Sequence, residues 1–155
     1  MGFRITGLSP KAFRHLYGLD DATLRRHGAV RYRVDEKPGY PDRVEMREAE
    51  LGETVLLVNH VSQEADTPYR ASHAIFVREG AEQVYVSLNE VPEVMRVRLL
   101  SLRGFDEQGM MVEADVVDGH NIEPLIEQFF ANPAVAYIHV HNAKRGCYSG
   151  RVDRE

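Results

Sequence analysis

The sequence predicts an α+β fold, a largely antiparallel β-sheet with short N-terminal helices and one amphipathic helix before a C-terminal hairpin. Apolar and polar residues alternate, or short β-branched runs recur, in segment after segment from residue 29 onward. One later stretch instead repeats its large apolar residues at helical spacing: Ile122, Leu125, Ile126, Phe129 and Phe130. Successive strands without intervening helices favour antiparallel pairing, with the helices set near the two ends. The 155 residues suit a single α+β domain, 1–155, and no repeat, low-complexity tract or Gly/Ser linker divides them.

Ser9 followed by Pro10 predicts a helix start, because the serine oxygen caps free amides and proline at the first position loses no bond. Phe13, Leu16 and Tyr17 share a face there, and Gly18 ends the turn. Asp20 or Asp21 caps a second short helix that Gly28 closes, with Arg25, Arg26 and His27 near its negative end. Val30, Tyr32 and Val34 then alternate with Arg31, Arg33 and Asp35 as a half-exposed strand. Pro38, Gly39 and Pro41 make residues 36–43 a constrained loop around Tyr40.

Residues 54–59 and 73–78 read as central strands, joined by a polar loop that ends at Thr67 and Pro68. Residues 84–88, 97–103 and 110–117 continue the series, with 104–109 as a hairpin turn. Asn121 caps the amphipathic helix, and Asn132 with Pro133 stops it. Residues 134–142 and 147–152 are strands joined by a tight turn over 143–146.

A net charge of −5 opposes binding of nucleic acid by bulk electrostatics. The longest apolar stretch, residues 134–138, is far too short to span a bilayer, so no membrane partner is expected. The single cysteine, Cys147, cannot close an intrachain disulfide, and a reducing cytoplasm is the simplest setting.

The strongest local constellation is Tyr137, His139 and His141. On a strand these side chains emerge on one face while Ile138 and Val140 enter the other. Two imidazoles at that spacing can hold a metal ion when neutral or an anion when protonated. A metal needs a further ligand, for which His73 and His60 are the candidates, so no metal is assigned and the cofactor is left unknown. The plainer alternative is that both histidines line a solvated or partly buried sheet face. Arg70, in a loop that ends at a strand, and Arg145, in the basic turn Lys144-Arg145-Gly146, suit a carboxylate or phosphate. For Arg70 the alternative is a structural pair with one of the 24 acidic side chains. The candidate ligand-binding set is therefore Tyr137, His139, His141, Arg70 and Arg145. Cys147 would act as a nucleophile only if exposed near a base, and is otherwise a small buried apolar residue. Phosphate-loop, dinucleotide-binding, nucleophile-elbow and zinc-protease motifs do not occur.

Several segments together resemble a known family. They are Gly39-Tyr40-Pro41-Asp42-Arg43, Gly52-Glu53 before Val55-Leu56-Leu57, His73-Ala74-Ile75-Phe76-Val77, and His139-Val140-His141-Asn142-Ala143 through Gly146-Cys147-Tyr148 to Arg151-Val152. The resemblance is to an uncharacterised bacterial family of domains of unknown function, family 1203, and implies no established activity or cofactor. It also implies that some relatives carry cysteines at the positions of Asp42, Glu45 and Gly150, forming two Cys-x-x-Cys pairs with the position of Cys147. This chain keeps only Cys147 of the four, which argues against a structural zinc site of that kind here.

Two functions remain in view. The first is a non-enzymatic or unassigned cytoplasmic protein acting through protein or small-ligand contacts. The second is a small-molecule enzyme or a metal- or anion-binding protein that uses the His-x-His strand face. The sequence does not decide whether the chain is an enzyme, nor its oligomeric state.

Overall fold

The computed structural model describes residues 2–155 and resolves them into two antiparallel sheets. The strands are β1 (Phe3–Thr6), β2 (Val30–Arg33), β3 (Thr54–Gln63), β4 (Ala71–Arg78), β5 (Val86–Leu88), β6 (Leu99–Phe105), β7 (Met111–Asp118), β8 (Tyr137–Asn142) and β9 (Tyr148–Arg154). The helices are α1 (Asp21–Arg26), α2 (Glu93–Arg96) and α3 (Ile122–Ala131). One sheet has six strands in the order β5-β1-β9-β8-β6-β7, and the other has three in the order β2-β3-β4. The fold is α+β, as the alternating pattern predicts.

Helix α3 covers one face of the large sheet. All five of its large apolar side chains are buried, in one core with Leu100 and Leu102 of β6 and Ile138 and Val140 of β8. Gly104 lets this helix settle, since a β-carbon there would lie 3.2 Å from the Phe129 ring. Each of those side chains contributes about 1.5–3 kcal/mol by leaving water. A second core lies on the small sheet, where Leu56, Val58, Ile75 and Val77 pack with Phe13, Leu16 and Leu24 of the N-terminal segment. Tyr148 of β9 reaches into this second core and ties the two sheets together.

Several details depart from the expected elements, among them the short helix α2 over Glu93–Arg96, which no sequence signal announces. Residues 10–16 form two 3₁₀ turns, Pro10–Ala12 and Arg14–Leu16, in place of an α-helix. Three residues per turn place Phe13 and Leu16 on one side, and both are buried in the second core. Strand β1 is missing from the sequence reading, because four residues give too short an alternation to recognise. Yet it lies between β5 and β9. In β2 the face bearing Val30 and Tyr32 is exposed, because it is turned away from the second core, and only Val34 beyond it is buried. The Asn121 side chain makes no cap hydrogen bond. Instead Asp118 caps the 3₁₀ turn Gly119–Asn121 that leads into α3, accepting from the amide of His120 at 2.9 Å.

Candidate functional site

Strand alternation decides what faces the small sheet. Across β6, β8 and β9 the register sets Arg103, His139 and Arg151 in one row, and Ser101, His141 and Tyr148 in the next. The opposite face of β8 is occupied by the α3 core, so these polar side chains turn toward β3 and β4. In that small sheet His60 and His73 are cross-strand partners and therefore share a face.

The result is a layer of touching rings between the sheets. His139 meets Tyr148 edge-on at 5.3 Å between centroids, and His141 meets the same tyrosine at 5.8 Å. His73 packs on His141 at 4.8 Å, and His60 lies between Phe13 and Tyr148. Phe105 and Tyr137 continue the layer past His139. His139 and His141 are buried, with 4% and 2% of their surfaces exposed. Burial, reinforced by Arg151 near one and Arg103 near the other, lowers His139 to a pKa of about 4 and His141 to about 3. Burial also lowers His60 and His73. The imidazoles of His139 and His141 are thus neutral at physiological pH. His141 uses Nδ1 to donate to the carbonyl of Gly146 at 2.9 Å. His139 Nδ1 is sealed and has no hydrogen-bond partner among the described residues.

A cleft of about 900 Å³ opens where β4 faces the β8–β9 turn. Leu57, Ala74, Phe76 and Tyr32 of the small sheet give it an apolar and aromatic wall, completed by Tyr40 from the 36–43 loop. Tyr40 and Tyr32 both rest on Phe76, at 5.1 and 5.9 Å between ring centroids. The rest of the lining includes Arg43, Asn142, Lys144, Arg145 and Cys147, with His73, which stands on the other face of β4 from Phe76. Lys144 and Arg145 make no hydrogen bond or ion pair among the described residues. Arg43 is 2% exposed and has no carboxylate partner among them either. Its Nε donates to the carbonyl of Tyr148 at 2.9 Å, its Nη1 to that of Pro41 at 2.6 Å, and its Nη2 to Cys147 Sγ at 3.1 Å. Burial pushes its pKa down, and the neighbouring Cys147 opposes that shift. Cys147 Sγ also accepts from Asn142 Nδ2 at 3.6 Å. Glu36 is the single carboxylate among the lining residues, against the cations Arg43, Arg98, Lys144 and Arg145. Of these, Arg98 is paired with Glu48.

A smaller hollow of about 300 Å³ lies at the other end of the ring layer, walled by His60, Gln63, Tyr137, His139, Tyr148 and Arg151. The sequence-derived candidates therefore divide. Tyr137 and His139 line the small hollow, Arg145 lines the cleft with His73, and His141 lines neither. Arg70 is exposed and donates to the backbone oxygen of Glu64 at 2.5 Å, on the rim of the small hollow. Among the described residues, no three of the histidine, cysteine, aspartate and glutamate side chains converge as metal ligands.

A family model described as a protein of unknown function, DUF1203, matches residues 39–154. The chain belongs to the DUF1203 family. No curated protein and no solved structure matches it. The matched segment holds both hollows except for Tyr32, Glu36 and Leu8.

Site residues of this DUF1203 chain that escape the sequence reading include Arg43, Asn142, Tyr148 and Arg151. Arg151 is legible in principle, because it alternates on a strand that follows a tight turn from β8. Arg43 has no such signal. It sits in an irregular loop pinned by the buried Asp42, which accepts from the amides of Glu45 and Arg78 at 2.6 and 2.7 Å.

Proposed function

We propose that this DUF1203 protein binds a small amphipathic organic anion in the cleft between β4 and the β8–β9 turn. The observation behind this reading is the pairing of an aromatic wall with three cations, Arg43, Lys144 and Arg145, that lack carboxylate partners among the described residues. A buried guanidinium without a counter-ion is costly, and an anion entering beside it offsets that cost. The cleft volume is within the range of small-molecule sites. Tyr32, Tyr40 and Phe76 offer flat surface to an apolar or aromatic portion, while Lys144 and Arg145 at the turn meet the charge. Cys147, the one thiol, suits a reducing compartment, and we place the protein in the cytoplasm on that ground.

The test compares two fluorescent probes with the same ring systems. 8-Anilinonaphthalene-1-sulfonate carries a negative charge, and N-phenyl-1-naphthylamine carries none. The full chain is expected to bind the sulfonate severalfold more tightly, and the double substitution Lys144→Gln, Arg145→Gln to remove that preference. The bound sulfonate should also slow alkylation of Cys147 by iodoacetamide. Equal binding of the two probes, or a preference that survives the double substitution, would refute the reading.

A further inference from the structure

The small hollow at the far end of the ring layer has a chemistry of its own. His139, 4% exposed, walls it with its Nδ1 lacking a hydrogen-bond partner among the described residues, and Tyr148, also 4% exposed, lines it beside His139. Such groups are ordinarily satisfied, because a buried donor or acceptor left alone costs about 1–3 kcal/mol. His139 and Tyr148 both belong to the lining of this one hollow.

The other walls show what that partner must offer. The Tyr137 hydroxyl oxygen accepts from Gln63 Nε2 at 3.0 Å, which leaves its own proton free to donate. Arg151 gives Nε and Nη2 to Asp153 at 2.9–3.0 Å, leaving Nη1 uncommitted, and its guanidinium lies 4.2 Å from the Tyr137 ring centre. Tyr148 supplies a further hydroxyl, and neutral His139 supplies one N–H. These donor-bearing side chains line a hollow of about 300 Å³, a space suited to a small ligand rich in acceptor oxygens.

Charge favours the same answer. Arg103 and Arg151 flank His139 as its cross-strand neighbours on β6 and β9. Asp153 compensates Arg151, whereas Arg103 has no carboxylate partner among the described residues and donates only to Ser101 Oγ. Glu64 opposes this from the rim, where it is exposed to water and therefore screened.

We infer that the hollow lined by Tyr137, His139, Tyr148 and Arg151 is a binding site for a small oxyanion, a carboxylate or a phosphate. It is separate from the cleft and does not depend on the reading given to the cleft.

Titrating the full chain with acetate and, separately, with inorganic phosphate at constant ionic strength tests the site and distinguishes the two sources. The readout is the NMR shift of the His139 imidazole and Tyr148 ring resonances. One of the two anions is expected to give saturable shifts. Tyr148→Phe keeps the ring and removes only the hydroxyl, and should weaken binding about tenfold, as loss of one hydrogen bond to a charged group does. Arg151→Gln should weaken it at least as much, while Lys144→Gln, Arg145→Gln should leave it unchanged. The inference is overturned by the absence of saturable shifts with both anions, by unchanged affinity in Tyr148→Phe and Arg151→Gln, or by loss of binding in the cleft variant.

Discussion

Acidifying the protein from pH of about 7.5 to about 5 should cost it about 4 kcal/mol through His139 and His141 alone. In the unfolded chain both imidazoles titrate near the ordinary value of about 6.5. In the folded protein burial lowers them to about 4 and about 3. Between those limits the unfolded state binds more protons than the folded state, so stability rises with pH and is lost as pH falls. The contribution is complete above the unfolded value. At pH of about 5 the unfolded chain gains about 2 kcal/mol per imidazole by protonation, while the folded protein gains almost nothing. His60 and His73 are lowered in the same direction and add to the slope. Urea denaturation at a series of pH values should therefore show the unfolding free energy falling by about 2.4 kcal/mol per pH unit near pH 5.5 through these two imidazoles, the slope of nearly two protons, with His60 and His73 adding to it. His139→Asn and His141→Asn should each reduce that slope by about one proton, whatever they cost at neutral pH. A flat profile between about 7.5 and 5, or a full slope in both variants, would refute the neutral buried pair.

Phe129 is 1% exposed and seated over Gly104, so Phe129→Ala should cost about 3–5 kcal/mol, and an unchanged urea midpoint would contradict that burial. Arg43→Ala leaves the buried carbonyls of Pro41 and Tyr148 without their donor and should cost about 2–6 kcal/mol, read as a drop in thermal midpoint. Arg43→Lys should recover little of it, because one ammonium cannot reproduce the three-way fork. A β-carbon on Gly119 would fall 1.8 Å from the backbone oxygen of Met95, so Gly119→Ala must displace α2 or the 3₁₀ turn. It should cost about 1–3 kcal/mol or more by urea denaturation, and a neutral result would show that the two segments part easily.

The sequence alone determined the elements whose pattern is long enough to read. Five apolar residues at helical spacing specified α3 and the face it buries, because an amphipathic helix has one way to remove that stripe from water. Alternation over Tyr137, His139 and His141 put those side chains on a common face, because strand geometry has a period of two. Gly28 and the aspartate cap defined α1 by local bonding, with Asp20 accepting from the amide of Thr23 at 2.7 Å. What lies opposite a strand face is not a local property, and only the tertiary structure decided it. His73 reaches His141 because β4 packs across β8 and β9, and Arg43 reaches Cys147 across 104 residues of chain through an irregular loop with no period to read. The same packing separated Arg145 from His139 into different hollows and left His141 in neither. Tyr148, an aromatic residue in a β-strand by pattern alone, became the wall between the two histidines because a register shift in β9 turns it to their face.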